Sequence, residues 1–60
     1  MEGFMVSFMF CFEETCIRHK AIDYLQARKE VFSRKDPTVG RLIAAYGLYD
    51  GYWERIRRVD

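Results

Sequence analysis

From Gly3 to Phe12 the chain reads GFMVSFMFCF, with Phe4, Val6, Phe8, Phe10 and Phe12 at every second position. Side chains alternate faces along a strand, so the spacing predicts a strand carrying four aromatic rings and a valine on one side. The intervening Met5, Ser7, Met9 and Cys11 form a softer second face, still apolar enough to expect cover. Glu13-Glu14-Thr15 is a polar break of hairpin-loop length. Residues 16–24 half-fit two patterns. Ile17, Ala21, Tyr24, Leu25, Val31 and Phe32 make a stripe at helical spacing, whereas Arg18, Lys20, Ile22 and Tyr24 alternate with Ile17, His19, Ala21 and Leu25. A lone strand needs a partner and the break suits a hairpin, which favours a second strand over 16–24, with a helix as the alternative.

Beyond this the composition turns helical. Gln26, Ala27, Arg28, Lys29 and Glu30 are good helix formers, and Arg34 and Lys35 place positive charge where a helix C-terminus favours it. Asp36-Pro37 is the strongest boundary, an N-cap followed by proline at the first helical position. Val39, Leu42, Ile43 and Tyr46 follow at helical spacing, which predicts a second helix from about Pro37 to Tyr49, with Val39, Ile43 and Tyr46 as its core stripe. Asp50-Gly51 ends it, and Tyr52 to Val59 reads as a last strand with Arg55, Arg57 and Arg58 along it. The expected architecture is a single α+β domain over residues 1–60, in the order β-β-α-β. Its three-stranded antiparallel sheet has one face covered by a helical segment broken near Pro37.

Composition narrows the classes. Sixty residues bury only about 60% of their unfolded surface, and scaffolds of this size commonly lean on a disulfide, a metal or a partner. A hydrophobic fraction of 50% excludes a disordered chain. Two cysteines make a poor disulfide framework, so association, including a weak homodimer, is the expected source of the missing stability. The apolar start lacks a basic leader and no run reaches transmembrane length, so the expectation is a soluble, intracellular protein with reduced cysteines and no membrane contact.

Cys11, Cys16 and His19 lie close in sequence but cannot supply the four ligands of a structural zinc, so no metal or other cofactor is expected. No nucleophile with a positioned base and no paired carboxylates can be assembled, so the chain reads as a non-enzyme. An aromatic strand face with Phe8 and Phe10, together with the C-terminal arginines, suggests small RNA-binding proteins. A net charge of +1 argues against that reading, and direct contact with nucleic acid is not expected. Tyr46, Tyr49, Tyr52 and Trp53, followed by arginines, are the residue types enriched in binding hot spots, which favours an interaction module.

Over its whole length the chain resembles the Dmd family, small antitoxins of T-even-like bacteriophages. The resemblance lies in Met1-Glu2, Val6, Phe8-Met9, Phe12, Lys20, Ile22 and Val39, in register along a chain of equal length. It implies a protein that binds and blocks an RnlA-type (or the related LsoA) endoribonuclease toxin in the cytoplasm of an infected bacterial cell. Phage messenger RNA would be protected by stoichiometric contact. The chain departs from the family pattern at Val31, Pro37 and Gly40, all in the helical segment expected to face a partner. The toxin-binding residues expected on this basis are Val31, Arg34, Gly40 and Arg41, with Tyr49 and Trp53 as the alternative surface.

Overall fold

The computed structural model describes residues 4–57. Its order is β1 (Val6–Phe12), β2 (Cys16–Ala21), α1 (Tyr24–Arg34), a single 3₁₀ turn (Pro37–Val39), β3 (Leu42–Tyr49) and β4 (Tyr52–Arg55). The strands form one antiparallel sheet in the spatial order β2-β1-β3-β4. The α+β class and the first hairpin match the sequence expectation. The sheet has four strands where three were expected, because the segment read as a second helix is β3. Only Pro37–Val39 turns helically. The expected last strand is shorter, ending at Arg55, and Arg58 and Val59 lie outside the described residues.

β1 places Phe8, Phe10 and Phe12 on the face that meets α1, where they are 1%, 0% and 5% exposed. α1 presents Tyr24, Ala27 and Val31 to them, a spacing of three and four residues that keeps one helix face on the sheet. The Tyr24 ring lies edge-on to Phe8, with centroids 6.3 Å apart, and stacks on Phe10 at 5.8 Å. Phe4, the first ring of the expected wall, precedes the strand and is exposed.

Local chemistry fixes both ends of the helix. The Asp23 carboxylate accepts from the Gln26 backbone N–H at 2.8 Å, and the Gln26 side chain in turn accepts from the Ile22 N–H at 3.0 Å. These bonds satisfy donors that a helix start otherwise leaves open. This cap is why β2 stops at Ala21 rather than running to residue 24. Across the sheet, the His19 Nε2 and a Glu30 carboxylate oxygen, 2.5 Å apart, tie β2 to α1.

The β1–β2 register sets Cys11 opposite Cys16, and the two are joined as a disulfide, where reduced thiols were expected. Five residues apart around a short turn, they are cross-strand neighbours in the register that also seats the phenylalanines. Asp50 and Gly51 form the β3–β4 turn, with φ of 52° and 82°. Two successive positive φ values belong to the tight hairpin turn that matches strand twist, and Asp-Gly is among its preferred sequences.

Truncation of Phe8 to alanine should remove about 3–5 kcal/mol, comparable with the whole stability of a domain this small. Phe8→Ala is therefore expected to be unfolded at ambient temperature by far-ultraviolet circular dichroism. A variant melting close to the wild type would mean that the core lies elsewhere.

Asp36 supplies a second test. The Thr38 backbone N–H, 2.9 Å from the Asp36 carboxylate, and the Thr38 hydroxyl at 2.8 Å hold the carboxyl below its ordinary value. A depressed folded-state value means this cap stabilises above the unfolded pKa and is lost as pH falls through the folded one. In a carbon-detected NMR titration, the Asp36 midpoint should lie below that of an exposed aspartate. Thr38→Ala should move it upward, and an unmoved midpoint would refute the capping role.

Candidate functional surfaces

Two surfaces emerge from the register. α1 packs against β2 and β1, so the helix side of the sheet is covered mainly over that half. Toward β3 and β4 the same side leaves Ile43 and Tyr52 at 58% and 74% exposure, with Ile22 and Leu25 exposed at the start of the helix. A groove of about 460 Å³ runs there, bounded by Tyr24, Leu42, Ala45, Ile56 and Arg57 among others.

The opposite side of the sheet has no covering element among the described residues. Pairing of Ser7 with Lys20, Met9 with Arg18, Met9 with Tyr46, Tyr46 with Arg55 and Leu48 with Trp53 puts all of these on that one face. The odd-numbered residues of β1, for which cover was expected, lie here.

The sequence-predicted contact residues do not converge. Val31 is 3% exposed and belongs to the core, so its side chain is withdrawn from any partner. Arg34 is exposed in the last turn of α1. Gly40 and Arg41 follow the 3₁₀ turn and dock on the β1–β2 loop. There the Glu13 N–H donates to the Arg41 carbonyl, the Glu14 N–H to the Val39 carbonyl, and the Arg41 N–H to the Glu13 carboxylate at 3.1 Å. The Arg41 side chain itself stays almost wholly in solvent. Tyr49 closes β3 on the helix side, its ring lying over Gly47. Trp53 is on the opposite, uncovered face.

With β3 in place of a second helix, Ile43 and Tyr46 are not core residues. Ile43 is exposed, beside an irregularity in the β1–β3 pairing that falls between Cys11 and Phe12. Tyr46 faces away from α1. Val39 alone of the expected stripe is buried.

The uncovered cluster of Arg18, Lys20, Tyr46 and Arg55 was missed in the sequence. The signal for it was present: the β1–β2 hairpin already placed Arg18 and Lys20 opposite the odd residues of β1, and Asp50-Gly51 marked a second hairpin. Cys11 and Cys16 satisfy each other and His19 pairs with Glu30, so these three residues do not converge on one point.

No protein-family model, curated protein or solved structure matches the chain. No helix among the described residues is long and apolar enough to cross a membrane.

Gly40 has a φ of 86°, and a Cβ built there would lie 2.8 Å from the Glu13 Cβ and closer still to its carboxylate. Gly51 has a similar φ of 82° but open space around it. Gly40→Ala should therefore lower the midpoint of urea unfolding more than Gly51→Ala does. The second change carries only the left-handed backbone penalty, about 1 kcal/mol. Equal losses would mean that the Glu13 contact contributes nothing.

Proposed function

We propose that this protein is a phage antitoxin that binds an RnlA-type endoribonuclease toxin and inhibits it by stoichiometric contact. Messenger RNA of the phage is thereby protected in the cytoplasm of the infected cell. What supports this reading is the resemblance of Met1-Glu2, Val6, Phe8-Met9, Phe12, Lys20, Ile22 and Val39, in register, to the pattern of the Dmd family.

The physical roles of those positions divide in an informative way. Phe8, Phe12 and Val39 are buried, and Val6 packs against the core, so packing alone accounts for them. Lys20 and Ile22 do no such work. Ile22 is 60% exposed and Lys20 is exposed, so both are open to contact with a partner at that end of the molecule. Burial of an exposed isoleucine at an interface contributes about 1.5–3 kcal/mol.

Arg34 and Arg41, both exposed, offer cations on either side of the turn that follows α1. In this reading the protein has no chemistry of its own, and its effect depends on the ratio of inhibitor to toxin.

Purified protein should suppress RNA cleavage by an RnlA-type toxin at near-equal molar ratio to the toxin, with an endpoint that doubles when the toxin concentration is doubled. Arg34→Glu combined with Arg41→Glu should raise the half-inhibitory concentration about tenfold, as loss of close charge contacts at an interface does, with an unchanged circular dichroism spectrum. Undiminished inhibition by that variant moves the contact toward Tyr49 and Trp53. An endpoint that does not move with toxin concentration sinks the antitoxin reading.

A further inference from the structure

The formal net charge of +1 averages over two unlike sides of the sheet. On the uncovered side, the strands contribute Arg18, Lys20, Tyr46, Leu48, Trp53 and Arg55, as follows from alternation along each strand and the pairing register. Every charge in that set is positive. Arg18 and Lys20 stand on β2, at one edge, and Arg55 stands on β4, at the other. Glu54 and Glu30, by contrast, belong to the helix side.

Between the cations lie two rings. Tyr46 and Trp53 are diagonal neighbours on β3 and β4, a relation that leaves adjacent large side chains within reach of each other. Trp53 is 38% exposed, with the Arg18 guanidinium 5.9 Å from its ring centroid. A groove of about 350 Å³ is bounded by Ser7, Arg18, Lys20, Leu48 and Trp53.

We propose that this face binds single-stranded RNA. The Arg18 guanidinium beside Trp53, Lys20 at the same groove and Arg55 on β4 match a phosphate backbone that carries one negative charge per nucleotide. The rings between them match the flat faces of unpaired bases, which stack on aromatic side chains without regard to sequence. The Tyr46 and Ser7 hydroxyls on the same face can bond a ribose 2′-hydroxyl. A duplex hides its base faces, so the arrangement selects against it. An acidic protein surface would meet the same charges but would make no use of paired, sequence-tolerant stacking platforms. The inference stands apart from the toxin reading, because the free protein suffices to test it.

The test is fluorescence anisotropy of the full chain with a labelled, mixed-sequence single-stranded RNA of about 12 nucleotides, within the usual site size for sheet-based platforms. Binding should weaken with salt along a log–log slope of about −2, as three phosphate contacts on a single strand give. Trp53→Ala should weaken binding roughly tenfold or more while leaving the slope in place, and Trp53→Phe should restore most of the loss. Arg18→Gln with Lys20→Gln should flatten the slope to about −0.7, the value for one remaining phosphate contact. Lys29→Gln, exposed on the helix, should change nothing, and circular dichroism of each variant verifies the fold. Absence of binding, equal binding of a duplex of the same sequence, or indifference to both Trp53→Ala and the paired charge removal overturns the proposal. So does a wild type that fails to bind RNA while Trp53→Ala abolishes toxin inhibition, since the face is then a protein contact.

Discussion

The seating of Phe8 and Phe10 against Tyr24, Ala27 and Val31 is the constraint on which the rest of this molecule depends. β1 is an inner strand, flanked by β2 on one side and β3 on the other. A strand so placed cannot slip by one residue without carrying its phenylalanines to solvent and its methionine and serine to the helix. The aromatic spacing of one strand thus fixes the register of the whole sheet. It decides which side of β2 carries Arg18 and Lys20 and which side of β3 carries Tyr46. In a chain of this size there is no second core to compensate.

The legible part of the fold was the part written in one unbroken period. β1 and the first hairpin follow from the alternation in residues 4–12, and the helix from the run of good helix formers after Leu25. The error over residues 42–49 has an identifiable cause. Leu42, Ile43 and Tyr46 satisfy helical spacing, but Leu42, Ala44, Tyr46 and Leu48 satisfy a period of two equally well. Two alanines and a glycine soften the contrast between the faces, so the hydrophobic pattern alone does not choose. Asp50-Gly51 was the arbiter. Read as a helix stop it supports a helix before it. Read as a hairpin turn, with hydrophobic pairs on each side, it demands strands. Asp36-Pro37 was interpreted correctly as a cap, yet a capped start guarantees only one turn. The chain leaves helical geometry at Gly40, whose φ of 86° few other residues tolerate.

The sequence offered candidate residue types for a surface but not their place. Tyr, Trp and Arg near the C-terminal end were read as interaction residues, and Tyr49, Tyr52 and Trp53 are exposed. What pattern reading missed was their division between two sides of the sheet. Tyr49 faces the helix side, whereas Trp53 faces the side with Arg18. Val31 was expected at a partner surface because it lies in the helical segment, but the helix's own geometry turns it into the core. The net charge of +1 likewise says nothing of where the charges lie, which strand pairing sets.

The edges of the sheet carry a final consequence. An uncovered sheet face bearing Met9, Tyr46, Leu48 and Trp53 invites uncontrolled growth if its borders can also recruit new strands. Here the outer border on one side is β2, where Arg18 and Lys20 resist the approach of an identical strand by like-charge repulsion. On the other side β4 pairs over only four residues before its strand geometry ends, too short a template for stable addition. The apolar face is thus framed by borders that discourage polymerisation. Such a surface can stay exposed without the sheet growing strand by strand at its rim.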